Sequence, residues 1–382
     1  MKRANHLLVL ARNEMTKLPK RKEGRKMKVL WKIILLLIIV LLVFYIIDDG
    51  VKENEPLESP VKHGTAIPVP GKGEGVSMNQ AARPESGISQ YVGKGVDVLI
   101  GKIGEPDRIE PSDYGYDWWI YDKDEQLMVG VKGEKVNQIY SADLASDVEP
   151  FELGQDVKDI YRFTIVESEV SVHTGDSVYT FTLNSEDVKN RLLIEYEGVY
   201  AQLYFDGIDA ELEAVRFIDP YTLVLHQPYD MTYMGEVVSA DRPSSTMQME
   251  VDRAMERQLF ELTNLYRTNH DVSEVESDYG LTQVARKHSE DMALENYFSH
   301  ESPVTGSLAD RLKEAKIDHR KARENIAFNY VDAIEAVHGW LNSPAHRSVL
   351  LDKDVTTLGT GAYGKYYTQV LVRMAQEEKR QQ

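Results

Sequence analysis

The sequence predicts an α+β chain: a β-rich region with an internal duplication, then a region of helices packed on a small sheet. Three observations carry this. Short apolar runs punctuated by Gly, Asp and Asn recur between residues 93 and 235. Two trios of such runs are spaced about 75 residues apart. From residue 246 the apolar residues change to helical spacing before closing in two β-type runs.

Ahead of these regions the chain is strongly polarised. It has 382 residues, 44 Lys+Arg against 62 Asp+Glu, and a formal net charge of −18. Residues 1–32 hold 11 basic and 2 acidic residues, so the remainder carries 33 basic against 60 acidic, a net of −27. Such a surface repels phosphates and excludes a nucleic-acid partner. The absence of cysteine excludes a disulfide scaffold, a Cys-ligated zinc site and thiol chemistry.

Residues 1–28 read as a basic cytoplasmic tail, although Met27-Lys28 also reads as a natural start. Residues 29–47, apolar except for Lys32, approach the roughly 20 residues needed to span a bilayer. The basic flank on their N-terminal side predicts a single-pass anchor with the remaining chain outside the cell membrane. A signal peptide would have a shorter apolar core and a small-residue cleavage site, and Asp48-Asp49-Gly50 follows here instead. Residues 48–92, rich in Pro and Gly with few apolar residues, read as a flexible linker.

In residues 93–235, helices are expected near Val96–Ile103 and Ser185–Arg191, each ahead of a three-stranded meander. The first meander takes in Trp118–Tyr121, Leu127–Val131 and Val136–Tyr140; the second Leu193–Tyr196, Tyr200–Phe205 and Leu212–Phe217, with Gly198 at a turn. No catalytic set is visible, and a spacer or interaction role is expected. Turn residues around Pro228–Pro243 mark a second linker.

Residues 246–378 hold a helix with Met255, Leu259, Leu262 and Tyr266 on one stripe, and a second with Leu281, Val284, Ala285, His288 and Met292. A third carries Ala333, Ile334, Val337 and Trp340 and stops at Asn342-Ser343-Pro344. His288 lies on an apolar stripe and reads as a core histidine; His319, among Lys and Arg, reads as solvated, and His338 has either the cleft or solvent open to it. Neither a His-Glu-x-x-His motif nor a Gly-x-Ser-x-Gly elbow is present.

Four blocks in this region stand in a recognisable order: His288-Ser289-Glu290-Asp291-Met292 with Tyr297-Phe298-Ser299-His300, then Arg323-Glu324-Asn325-Ile326-Ala327, then Trp340–Arg347, then Tyr366–Val370. In this the chain resembles the CAP superfamily, specifically its bacterial SCP-like branch. Gly101-Lys102-Ile103-Gly104-Glu105-Pro106 and the Trp/Tyr-rich strands resemble the CAP-associated N-terminal domain of spore-forming Gram-positive bacteria. The resemblance implies an α-β-α sandwich with an open cleft whose two histidines and two glutamates bind a divalent metal. His300 matches the first histidine and Glu324 the first glutamate, but Ser343 and Tyr366 stand where the second glutamate and second histidine would be. His346 is the replacement imidazole, with Asn325 and Tyr366 as cleft walls.

Two readings of these groups stay open. His300, Glu324 and His346 can ligate a divalent metal such as zinc or calcium, leaving a position for water, or they can form a hydrogen-bonded network without catalysis. Three functions follow. The first is a non-enzymatic cleft for a lipid, peptide or cell-wall ligand at the cell envelope; the second is a metal-assisted hydrolase of peptide or wall bonds; the third is a structural envelope protein. The incomplete tetrad favours the first and leans away from an enzyme.

Overall fold

The computed structural model describes residues 31, 32, 34, 35, 51, 52, 54–61, 67, 68, 81–123 and 126–375. The expected tail (1–28) and most of the expected membrane span (29–47) lie outside them. Among the described residues no helix is long and apolar enough to cross a membrane. The described residues from Val51 onward belong to one compact unit.

That unit opens with three two-residue strands, β1 (Val51–Lys52), β2 (Leu57–Glu58) and β3 (Ile67–Pro68). Helix α1 (Val96–Ile103) and strand β4 (Arg108–Pro111) precede the first meander, β5 (Asp117–Tyr121), β6 (Leu127–Lys132) and β7 (Lys135–Ser141). Helix α2 (Val157–Phe163) and a hairpin, β8 (Glu169–Thr174) and β9 (Ser177–Thr182), come next. Helix α3 (Ser185–Asn190) then leads into β10 (Arg191–Tyr196), β11 (Val199–Asp206) and β12 (Glu211–Ile218). Helix α4 (Pro220–His226) and β13 (Asp230–Met234) finish this N-terminal lobe.

Both expected meanders form, and together they build one seven-stranded sheet in the order β10-β11-β12-β7-β6-β5-β4. The third strands of the two meanders pair antiparallel at its centre, with Arg216 opposite Tyr140 and Phe217 opposite Ile139. The β6–β7 turn takes positive φ at both Gly133 (57°) and Glu134 (61°), the backbone that matches strand twist in a two-residue hairpin. Residues 230–234, expected to be turn-rich linker, instead pair as β13 with β9.

The C-terminal lobe begins with α5 (Ser245–Asn269), capped by the Ser244 hydroxyl accepting from Met247 N–H. After β14 (Glu276–Ser277), α6 (Tyr279–Leu294) is capped by Asp278. Helix α7 (Leu308–Glu314), strand β15 (His319–Phe328), helix α8 (Ala333–Asn342), helix α9 (Pro344–Leu350) and strands β16 (Thr357–Tyr363) and β17 (Tyr366–Met374) complete it. The sheet runs β1-β15-β17-β16-β14, with β2 also on β15.

Alternation along β17 makes this lobe a three-layer sandwich. Thr368 meets Ser289 of α6, and Val370 and Val372 pack with Leu281, Val284 and Ala285. Tyr367 packs with Leu259, Tyr266 and Trp340, and Gln369 bonds Thr263 of α5. Helix α6 lies so close to β16 that a Cβ on Gly359 or Gly361 would come within 2.2 Å of helix backbone, so both positions require glycine.

The N-terminal lobe is more than a spacer. One face of its sheet covers its own core of Leu203, Val215 and Phe217. The other face, with Trp118, Tyr140 and Tyr204, packs in a single cluster with Met255, Leu259 and Tyr266 of α5 and Val337 and Trp340 of α8. Buried charges cross this contact. Arg216 of β12 donates to both oxygens of Asp332 at 2.8 and 3.0 Å, and Arg191 reaches Glu335 at 2.6 Å while also pairing Asp187. Asp332 is also the N-cap of α8, accepting from Glu335 N–H.

Breaking such a pair on one side leaves the other charge buried and uncompensated. Arg216→Ala should therefore cost roughly 3–5 kcal/mol in denaturant unfolding, and the double variant Arg216→Met/Asp332→Leu should recover much of that loss. A single-variant cost below about 1 kcal/mol would show that the pair is solvated.

Candidate cleft on the edge of β15

Successive residues of a strand point to opposite faces, and β15 uses this to build two half-sites. Glu324, fully buried, faces α6 and α7. Its carboxylate accepts both guanidinium nitrogen–hydrogen bonds of Arg311 Nη2, at 2.9 and 2.7 Å, and meets His300 Nδ1 at 2.8 Å. His288 Nε2 lies 3.8 Å away. Burial alone would raise the Glu324 pKa, but the Arg311 charge, then His288 and the His300 hydrogen bond, outweigh it and hold the group at about 2. The carboxylate is thus ionised and can only accept, so His300 Nδ1 carries a proton. In the neutral ring Nε2 presents its lone pair, and that atom is buried with no hydrogen-bond partner.

Asn325 points to the opposite face. Its amide donates to the His346 carbonyl at 3.2 Å and lies 3.4 Å from Gln369 Oε1, while its oxygen accepts from Asn54 Nδ2 at 3.0 Å. His346 stands at the first turn of α9, where Pro344 presets the backbone. Its Nδ1 meets Ser343 Oγ at 2.8 Å, its Nε2 is also buried, and the ring has a hydrogen bond with the Glu55 main chain. Burial lowers the His346 pKa to about 4, the nearby His300 adds to this, and the Glu55 main chain opposes it. Tyr366 stacks on Phe328 with ring centroids 4.4 Å apart, and Phe298 lies against both.

The five sequence-selected residues are placed by different routes. His300 and Glu324 are in direct contact, and Asn325 holds the backbone of His346. Tyr366 belongs to an aromatic group with Phe298 and Phe328, at the end of β15. Within the candidate metal set of His300, Glu324 and His346, both Glu324 oxygens are taken by Arg311 and His300. Glu324 orients an imidazole, and the donors left for an ion are the two imidazoles, short of the three protein ligands of a catalytic zinc site. Among the described residues, the only cluster spaced to hold an ion is Asp206, Asp209 and His270, where Arg347 already pairs with both aspartates.

Other histidines differ from expectation in detail. His288 is buried as expected, yet neither of its ring nitrogens has a hydrogen-bond partner. His338 faces neither cleft nor solvent; its Nε2 meets the Asn190 carbonyl of the N-terminal lobe at 2.9 Å. Arg311, which sets the charge of the site, went unread because nothing in its local sequence separates it from a surface helix arginine. A cavity of about 870 Å³ in the N-terminal lobe takes no residue from this cluster.

Two family models match this chain. Residues 92–229 match the CAP-associated N-terminal family, and residues 260–374 match the cysteine-rich secretory protein family. An uncharacterized membrane protein of Bacillus subtilis, YlbC, is 38% identical over 302 residues, covering 78% of this chain and 87% of its own length. The chain belongs to the CAP family. The crystal structure of an extracellular SCP-domain protein from Bacillus anthracis superposes with a TM-score of 0.72 at 36% identity, covering 77% of this chain and 98% of that one. A cysteine-rich secretory protein from Staphylococcus aureus shares the fold, with a TM-score of 0.71 at 23% identity over 84% of this chain and 98% of its own. These matches establish the α+β fold with an SCP-type C-terminal lobe.

The buried histidines of this CAP lobe give a pH dependence. His288, His338 and His346 are each held at about 4, chiefly by burial, against 6.5 for a free ring. The folded state keeps them neutral where the unfolded chain takes up protons. The stability they confer is complete above pH 6.5 and is lost as the pH falls toward 4. Glu324, depressed from 4.5 to about 2, adds a further loss between those values. His346→Gln should flatten the decline between pH 6.5 and 4 by about 1.4 kcal/mol per pH unit, read from urea midpoints; an unchanged slope would mean that His346 takes up its proton as readily in the folded state as in the unfolded one.

Proposed function

We propose that this CAP protein is held in the cell membrane by residues 29–47, with its N-terminus cytoplasmic. Its folded unit then lies outside and binds a lipid, peptide or cell-wall ligand at the envelope without catalysis. The basic flank and apolar run support the anchor. The description of YlbC as a membrane protein and of the Bacillus anthracis neighbour as extracellular agrees with it. The two lobes are read as a CAP-associated domain over 93–235 and a CAP domain over 246–378.

One observation carries the binding role. The Nε2 of His300 is buried without a partner, and the imidazole of His346 meets only Ser343 and the Glu55 main chain, while the Glu324 carboxylate beside His300 is fully used by Arg311 and in orienting that ring. A buried polar atom left unpaired is costly, and a ligand group that hydrogen-bonds the His300 nitrogen would recover that cost. The ring stack of Phe298, Phe328 and Tyr366 offers an apolar wall nearby. A polar contact beside an aromatic wall is the usual make-up of a small-ligand site.

The same two rings also favour the hydrolase reading, since imidazoles bind zinc. That role needs a third ligand from outside the set described above. The two readings separate on the full-length protein in detergent. Titration with phospholipids and wall fragments should show saturable binding that His300→Ala weakens about tenfold, the loss of roughly one good contact, and zinc content should stay well below one per chain. Stoichiometric zinc that is lost in His300→Ala, together with turnover of a wall peptide, would replace binding with hydrolysis.

A further inference from the structure

The first part of the segment expected to be a spacer, residues 51–61, lies against the C-terminal lobe, whereas β3 pairs with β13 of the N-terminal lobe. β1 pairs parallel with β15, Val51 opposite Ala322 and Lys52 opposite Arg323; β2 pairs parallel with the same strand, Leu57 opposite Ala327 and Glu58 opposite Phe328. Ser59 N–H donates to the Phe328 carbonyl at 2.9 Å, and Val61 is buried. Leu57 packs against the cluster shared by the two lobes. Between the two short ladders the chain leaves the strand, having one residue more between Lys52 and Leu57 than β15 has between Arg323 and Ala327. In that bulge Asn54 bonds the Asn325 side chain, and the Glu55 main chain acts on His346.

We propose that the outer edge of β15 is a strand-addition site for an extended peptide, and that residues 51–61 are its tethered resident occupant. This deepens the binding role given above and rests on it. Recognition by strand addition takes affinity from main-chain hydrogen bonds and specificity from side chains that meet pockets. All these parts are in place: two ladder pieces, Asn325 reading an amide, and an apolar seat for Leu57. The occupant is built to be displaced. Pro56 and Pro60 flank β2 and cannot donate to a ladder, so that pairing is confined to Leu57–Ser59. Attachment to the same chain compensates, since a short tether supplies an effective concentration of about 1 mM. An incoming peptide of comparable affinity competes only when the tether is weakened or its own contacts are better.

The chain has no cysteine, which makes the test direct. In the full-length protein in detergent, Glu58→Cys with Phe328→Cys places a thiol pair across the β2–β15 register. Oxidation should form the crosslink. The probe is a fluorescein-labelled peptide with the sequence of residues 51–61, followed by fluorescence polarisation. Asn54→Ala with Leu57→Asp, which weakens the tether, should bind the probe about tenfold more tightly than the unaltered chain, as expected when the resident holds about nine-tenths of the sites. The oxidised crosslinked protein should lose binding and regain it on reduction, so one polypeptide serves as its own folding control. Failure to crosslink, equal binding in both redox states, or no gain on weakening the tether would overturn the proposal. If phospholipid or wall glycan still binds in a His300-dependent way while the peptide does not, strand addition is excluded and the broader binding role survives.

Discussion

The position of β15 at the edge of its sheet is the constraint on which the site depends. It pairs with β17 along nearly its whole length on one side, Ala322 to Phe328 facing Val372 to Tyr366. On the other side, among the described residues, it meets the two short ladders of Val51–Lys52 and Leu57–Glu58. Neighbouring residues on a strand face opposite layers, so Glu324 and Asn325 can serve one cleft only if the cleft wraps round an edge. His300 approaches from the Glu324 side and His346 from the Asn325 side. In an interior strand the sheet itself would separate these two rings.

Burial of charge sets the geometry at two places, and in both it fixes orientation more than it adds stability. The Glu324 carboxylate, removed from water, stays ionised because Arg311 neutralises it, and its remaining capacity fixes the His300 tautomer. Arg311 also donates to the His300 and Gly306 carbonyls, tying the loop that carries His300 to α7. Between the lobes, Arg216–Asp332 and Arg191–Glu335 do the same on a larger scale. An apolar contact alone would tolerate sliding of the sheet over α5 and α8, whereas these pairs accept one register. Asp332 caps α8 while it pairs Arg216, so the helix that ends at Ser343, just ahead of His346 on α9, is indexed to the N-terminal lobe.

What the sequence made legible follows the reach of each signal. The two meanders and the helices at Val96–Ile103 and Ser185–Asn190 stand where alternation and turn residues put them, because those signals are local. The burial of both faces of β11 was harder to read. Tyr204 packs on α8 and Gln202 bonds Tyr229 within the interior, contacts that only the tertiary fold supplies. His300 and Glu324 were legible because they fall within ordered blocks of family-like sequence. Arg311 was not, since its partner is set by tertiary contact alone. The pairing of residues 51–58 was the least legible, because two-residue parallel ladders interrupted by proline leave no periodicity.

The same pairing has a plainer explanation that must be weighed against a binding role. A ten-residue edge strand is a template for unwanted association, and proteins often cover such edges with their own chain. Covering alone would favour an unbroken ladder, which protects the most backbone. The segment instead departs from β15 opposite Glu324–Ile326, and there it turns the Asn54 amide toward Asn325 and the Glu55 main chain toward His346. Protection of the edge accounts for the two ladders. It does not account for a departure at the one stretch where the edge carries recognition groups, and an occupant seated over a binding cleft accounts for both.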